Sequence, residues 1–151
     1  EVKAMAKQVD FKITGLLGIT LDNKLYSQFY SELFALNMYL IVFACQGVID
    51  DVSKKDEVLD IFHRQVYARN IKDTGKSYKR WMQAMKLIYV DYRKAMEEKS
   101  LLTPVLLVSG AFEKNLFGKP SMDPYVRFET GMRIGGIVRQ LSQSLQDYTI
   151  E

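Results

Sequence analysis

Few residues of this sequence belong to the types that carry out chemistry on their own. His63 is the sole histidine and Cys45 the sole cysteine. A structural zinc site takes four Cys or His ligands, so these two residues cannot complete one. The plainest interpretation of His63 is a residue on a helix surface that makes one hydrogen bond. A lone thiol fits a reducing compartment. We therefore predict no metal site and no cofactor.

Carboxylates are the remaining candidates for acid and base chemistry. Asp56, Glu57 and Asp60 cluster, but a predicted helix start explains them, since acidic side chains there cap the helix and complement its dipole. Glu32 borders an apolar face, where a carboxylate must find a partner or stay neutral. Neither a GxGxxG nor a P-loop motif is present. We predict no catalytic residue; an enzyme would need a deep pocket with convergent ionisable groups.

The spacing of apolar residues predicts helices. The 151 residues are 48% hydrophobic and 26% charged, which is typical of one folded domain. Between 77 and 99 large apolar side chains recur at i, i+3, i+4 and i+7 over five turns, which predicts an amphipathic helix. They are Tyr78, Trp81, Met82, Met85, Ile88, Tyr89, Tyr92 and Met96.

Capping signals delimit the other elements. Ser53 reads as an N-cap, and Pro104 and Pro124 follow Thr103 and Asp123 at predicted first helical positions. We predict an all-α, single-domain bundle of about five principal helices, preceded by an arm or short helix over residues 1–20, with 21–151 as the helical domain. The predicted helices cover 22–46, 53–69, 77–99, 103–118, and 123 to the end of the chain.

Two features bear on how these helices pack. The apolar run 33–49 is about 17 residues long and contains Asn37 and Gln46. It suits a buried central helix, with a short membrane span as the alternative. In the last helix Gly131, Gly135 and Gly136 lower helix propensity by about 1 kcal/mol each, so we expect a neighbouring helix to approach closely there, or a kink.

Positive charge is concentrated in one part of the chain. The formal net charge is +3, yet residues 64–99 hold ten Lys or Arg against four acidic residues. Lys76, Lys79, Arg80 and Lys86 form the predicted basic surface. Such a face is commonly just solvated. The alternatives are ribosomal RNA and an anionic membrane, through phosphate contacts that carry no sequence information, and not specific DNA.

Several segments resemble the ubiquinol-cytochrome c chaperone family. Residues 111–118 (AFEKNLFG) are similar to its pattern of Ala, Leu, any residue, Arg, Asn, Leu or Val, aromatic, Gly. Residues 89–96 resemble a helix ending in Tyr-Asp-x-x-Leu, and 137–141 resemble its Tyr-Val-Arg segment. The first long helix departs from the family, since 36–39 (LNMY) stand where Leu-His-x-Trp is common.

The resemblance implies a non-enzymatic assembly chaperone of the cytochrome bc1 complex. It would bind nascent or free cytochrome b, with a small co-chaperone protein, near the ribosome. The location implied is mitochondrial, on the matrix side of the inner membrane, or the cytoplasm in a bacterium. A permanent helical accessory subunit of a larger complex has the same appearance and is the alternative.

Two sets of residues carry the predicted roles. The first is a groove for an apolar helix between the first and third long helices, with the protein core as the alternative role of the same side chains; it comprises Tyr39, Trp81, Met82, Met85, Tyr89 and Tyr92. Met and aromatic side chains adapt well to such ligands. The second set is structural: Asn115, which we expect to bond nearby backbone, Phe117, and Gly118, which we expect to end its helix with positive φ.

Overall fold

Helices make up nearly all of the chain that can be described. The structure, a computed structural model, describes residues 25–98, 103–119 and 123–147. Of these residues, 90% are helical, in five α-helices with no strand among them, which confirms the all-α bundle. The helices are α1 (Leu25–Val48), α2 (Val52–Asn70), α3 (Tyr78–Glu97), α4 (Pro104–Phe117) and α5 (Pro124–Asp147), with a 3₁₀ turn at Lys72–Thr74.

The start of α2 corrects one predicted cap. Asp51, not Ser53, is the N-cap: it has extended backbone, and its Oδ1 accepts a hydrogen bond of 2.9 Å from the backbone N–H of Lys54. Ser53 lies one residue inside the helix. Both residue types cap well, so composition alone did not distinguish them. The helix ends at Asn70, one residue beyond the predicted end.

Both ends of α4 and the start of α5 lie at the Pro and Gly positions that were predicted. Pro104 and Pro124 are the first residues of α4 and α5, and Asp123 accepts hydrogen bonds from the first turn of α5. The Thr103 side chain makes no capping bond. Gly118 ends α4 with φ of 75°, as expected, because a left-handed residue at this position is cheapest for glycine.

Helix α1 is the centre of the bundle and contacts each of the other four helices. Its apolar residues surround the helix, so it buries a larger part of its surface than an amphipathic helix would. It is also long and apolar enough to cross a membrane by length and composition alone, and half of the relevant window is buried within the protein. Its buried residues are Phe29, Leu33, Ala35, Leu36, Met38, Tyr39, Leu40, Val42, Ala44 and Cys45.

Helices α4 and α5 pack closely at a glycine. A Cβ placed on Gly131 would lie 2.7 Å from Cδ2 of Leu106 and 3.4 Å from the backbone oxygen of Val105. This contact confirms the expected close approach of a neighbouring helix. Around Gly136, by contrast, an added Cβ would meet nothing within 4 Å.

Two parts of the predicted organisation lie outside the described residues. The predicted arm over residues 1–20 is one, and the predicted start of the first helix near residue 22 is the other. The last residues of the helix predicted from 123 to the end of the chain, 148–151, are also outside them.

Candidate interaction surfaces

The aromatic and methionine stripe of α3 faces the inside of the bundle. Tyr39, Trp81, Met85, Tyr89 and Tyr92 are all buried, and Met82 is half-buried against the same core. In this fold, therefore, the six residues predicted to line a groove are core residues, which was the alternative interpretation. Docking of a partner on them stays a prediction and requires another helix to move.

Tyrosine rings make up much of this part of the core. The Tyr39 ring lies 5.4 Å from Tyr92 and 6.0 Å from Tyr89, both distances between ring centroids. Burial raises the pKa of Tyr39 to about 12, although the charge of Arg93 acts in the opposite direction. Burial likewise raises the pKa values of Tyr89 and Tyr92. All three hydroxyls are therefore protonated at neutral pH, and those of Tyr89 and Tyr92 donate hydrogen bonds to His63 and Glu32.

A polar network joins α1, α3 and α4 beside that core. Glu32 Oε1 accepts a hydrogen bond of 2.5 Å from the Tyr92 hydroxyl and one of 2.9 Å from the Asn115 side-chain amide. Glu32 thus has the partners that a carboxylate near an apolar face requires. Burial, followed by the Glu32 charge, raises the pKa of Tyr92, so its proton stays in the network.

The role of Asn115 differs from the expectation. Its side chain bonds Glu32 rather than nearby backbone, so it connects helices across 83 positions of sequence. The backbone oxygens of Asn115 and Leu116 instead accept hydrogen bonds from the side chain of Gln28, at 3.3 and 3.1 Å. These bonds satisfy carbonyls that the end of α4 would otherwise leave open. Phe117 is half-buried and packs against the core.

His63 is buried and makes two hydrogen bonds, which corrects its interpretation as a surface residue. Its Nδ1 lies 2.6 Å from the carbonyl oxygen of Leu59 and its Nε2 lies 3.0 Å from the Tyr89 hydroxyl. A carbonyl only accepts, so Nδ1 carries the proton, and Nε2 accepts from Tyr89. Burial lowers the pKa of His63, against the opposing effect of the Leu59 hydrogen bond, so the ring is neutral near pH 7.

A buried acidic side chain lies between α4 and α5, and sequence reasoning missed it. Glu113 is fully buried, with its Oε2 4.0 Å from Nε of Arg127. Ser109, also fully buried, donates a hydrogen bond of 3.1 Å to the backbone oxygen of Arg127. A buried ion pair adds little net stability, because removing both groups from water offsets most of their attraction. No local pattern marks Glu113, since it occupies an apolar position of α4.

The predicted basic surface is accessible. Lys76, Lys79, Arg80 and Lys86 are all exposed. Leu87, which is 71% exposed, lies on α3 together with Lys79, Arg80 and Lys86. Exposed basic side chains can contact phosphates, but exposure does not distinguish RNA phosphates from lipid phosphates. Binding to RNA and binding to anionic lipid therefore both stay predictions.

An exposed apolar stripe on α5 was not predicted as a surface. Tyr125, Phe128 and Met132 are 61%, 50% and 59% exposed, at positions i, i+3 and i+7 of one helix face. That spacing extends over about 10 Å of helix. A run of aromatic and Met side chains held in water is typical of protein interfaces. The same helical spacing of apolar residues marks this exposed stripe in the sequence. It lies on the side of α5 opposite to Ile134, Ile137, Val138 and Leu141, which face the core.

Features expected of an enzyme are sparse in the described part of the chain. No group of three or more His, Cys, Asp or Glu there could hold a metal ion. A depression of about 390 Å³ lies where the end of α1 meets the end of α5, lined by Val48, Ile49, Asp50, Asp51, Lys54, Leu145 and Gln146. Asp51 is engaged as the N-cap of α2. Burial raises the pKa of Cys45, so this thiol stays protonated and weakly nucleophilic.

Comparison of the chain with protein-family models, with curated proteins and with solved structures gives no match. The similarity of residues 89–96, 111–118 and 137–141 to the chaperone family therefore rests on those residues alone.

Proposed function

We propose that this chain is a non-enzymatic, protein-binding helical domain and acts as an assembly chaperone for the cytochrome bc1 complex. Its ligand is an apolar segment of newly made cytochrome b or of a small co-chaperone protein. The observation that carries the proposal is the exposed stripe Tyr125, Phe128 and Met132. The resemblance of the segments around Tyr92 and Asn115 supplies the identity of the ligand.

The α5 stripe has the properties that such a ligand requires. Its three side chains present aromatic and thioether surface, which adapts to differing apolar partners. About two helical turns are covered, enough for two or three anchoring side chains of a partner. The stripe belongs to a helix whose opposite face is fixed by the Gly131 contact with α4. A rigid surface of this kind loses little conformational freedom on binding.

Under this proposal the chain acts on the matrix side of the mitochondrial inner membrane, or in the cytoplasm of a bacterium. The exposed basic residues Lys76, Lys79, Arg80 and Lys86 would contact a ribosome or an anionic membrane surface near the site of cytochrome b synthesis. Such contacts are weak at physiological salt, because counterion release supplies most of their affinity.

A pull-down from the native organelle tests the proposal. The tagged chain should recover free or nascent cytochrome b or a small co-chaperone, and a Tyr125→Ala/Phe128→Ala variant should recover at least tenfold less, since truncating an interface anchor typically costs about 2 kcal/mol or more. Leu87→Ala is the control, because it removes an even more exposed apolar side chain, at 71%, from another helix. Its recovery should be unchanged.

A permanent accessory subunit is the second candidate, since the same exposed stripe would also suit a fixed interface. The two functions differ in stoichiometry. A permanent subunit is present at one copy in each mature complex, whereas a chaperone leaves before maturity. Recovery of the chain within a finished complex, without free or nascent cytochrome b, would reject the chaperone function and support the subunit.

A further inference from the structure

Helix α2 has a single fully buried side chain, that of His63, over Val52–Asn70, which the structure describes throughout. The other contacts of α2 with the core come from half-buried side chains on the same face: Leu59, Phe62, Val66 and Tyr67. By comparison, α4 buries five residues within a shorter length. Helix α2 therefore buries fewer side chains than any other described α-helix.

The surface that α2 covers is the aromatic stripe of α3. His63 lies 6.3 Å from the Trp81 ring and 5.9 Å from the Tyr89 ring, and Tyr67 lies 5.8 Å from Trp81, measured between centroids. Arg64 extends over the Tyr78 ring at 5.2 Å. Without α2, Trp81 and Tyr89 would face solvent. They are the kind of side chains that anchor a helix in a groove.

One edge of this surface is positively charged. Lys79, Lys86 and Arg93 recur every seven residues on α3, so they form one row, and all are exposed. Helical geometry places the row beside Met82 and Tyr89. Lys86 is near enough to influence the His63 ring, and Asp60 of α2 acts on that ring in the opposite sense. A helix with more acidic residues at this edge would be held more strongly than α2.

From these contacts we propose that α2 is a displaceable cover, and that an amphipathic helix with an acidic edge, supplied by a partner protein, docks in its place on Trp81, Met85 and Tyr89. The inference rests on the proposed function only in requiring a partner protein. Under this inference the buried aromatic stripe of α3 binds a partner after α2 has moved. The stripe is then a second binding surface beside the exposed one on α5.

The fit can be tested with the helix that already occupies the surface. The probe is a labelled peptide with the sequence of residues 52–70, added to the full chain and followed by fluorescence anisotropy. The His63→Ala chain should bind the peptide about tenfold more tightly than the natural chain, because its own α2 competes less well after losing a buried hydrogen bond and ring contacts. Circular dichroism checks that the variant folds.

A control peptide carries Ser at positions 59, 62 and 66. Its binding to the His63→Ala chain should be at least tenfold weaker, since its apolar face is lost. Equal binding of the two peptides, or equal binding of the 52–70 peptide to the natural and variant chains, would overturn the proposal.

Acid supplies a second test that needs no destabilised variant. The pKa of His63 is lowered in the attached state, so the detached ring takes a proton first as pH falls below about 6.5. Detachment should therefore become easier in that window and harder as pH rises. The groups facing His63 from its own helix and from α3 are Asp60, Lys86 and Tyr89.

Trp81, the single tryptophan, reports this detachment directly because it lies beneath α2. Between about pH 8 and pH 5, acrylamide quenching of Trp81 should rise severalfold while the far-ultraviolet dichroism stays helical. A His63→Gln chain keeps a hydrogen-bonding side chain without titrating, and should show no such rise. Quenching that stays constant in the natural chain, or rises equally in the variant, would contradict the proposal.

The two functional proposals fail separately. Absence of cytochrome b from the pull-down leaves peptide binding and Trp81 quenching unaffected. Absence of peptide binding leaves the Tyr125 and Phe128 surface untouched.

Discussion

Helices α1 and α2 follow each other in the chain but hold to the bundle in different ways. Ten of the 24 residues of α1 are buried and it contacts every other helix, whereas α2 buries His63 alone among its 19 residues. The difference follows from sequence: α1 is apolar around most of its circumference, and α2 carries seven charged residues. Because apolar burial supplies most of the stabilisation, α1 belongs to the unit that unfolds globally, and α2 can open at lower free energy.

The largest expected effect compares two phenylalanines. Phe112 is almost fully buried in α4, and Phe62 is half-buried on α2. Phe112→Ala should lower the free energy of unfolding by about 3–5 kcal/mol, because it removes a buried ring and leaves a cavity. Phe62→Ala should cost less than half as much. Urea titration followed by circular dichroism measures both, and equal losses would break the contrast between α2 and the core.

The next effect concerns the carboxylate that joins α1, α3 and α4. Glu32→Ala removes the acceptor of the Tyr92 hydroxyl and the Asn115 amide, and should cost about 2–3 kcal/mol, since both donors lose a charged partner. Glu57→Ala, an exposed carboxylate on α2, should change stability by less than about 0.5 kcal/mol. The same urea titration compares the two. A neutral Glu32→Ala result would mean that water replaces the lost acceptor.

Two glycines of α5 give a smaller effect. Gly136→Ala should stabilise by up to about 1 kcal/mol, because open space surrounds it and alanine favours the helix. Gly131→Ala should lack this gain, because Leu106 Cδ2 would lie 2.7 Å from the added Cβ and the Leu106 side chain must turn and repack. Melting temperatures provide the measurement. Equal gains from the two changes would contradict the close contact of α5 with α4 at Gly131.

Local sequence signals predicted the helices and most of their ends. Apolar periodicity fixes a helix within a few residues, and Pro104, Gly118 and Pro124 act through backbone geometry that holds in any fold. Helix periodicity and these end signals depend only on residues close together in the sequence. The helix positions could therefore be predicted without knowing how the helices pack or what they do.

The interior arrangement was harder to predict, for a physical reason. Periodicity shows that Trp81 and Tyr89 share a face, but it does not show what covers that face. The cover is α2, and the apolar residues on its inward face, Leu59, Phe62 and Val66, do not show which helix they pack against. Likewise, Glu32 and Asn115 meet across 83 positions, and no local rule encodes such a pair. His63 was assigned to the surface because its two partners, Leu59 and Tyr89, become evident only once α2 and α3 are packed.

The smallest expected effect tests whether α2 opens separately or only when the whole protein unfolds. Asp51 caps α2 through its 2.9 Å bond to the Lys54 N–H, and Ser53 makes no such bond although it was the predicted cap. Asp51→Ala should therefore destabilise α2 by about 1 kcal/mol. Because α2 opens on its own, the change should appear as roughly fivefold faster hydrogen exchange of its amides, with exchange of the α1 amides unchanged. Ser53→Ala is the matched control and should leave both helices as they are. If Asp51→Ala accelerated exchange in α1 and α2 equally, the two helices would form one cooperative unit, and the cover over Trp81 could not open without the rest of the bundle.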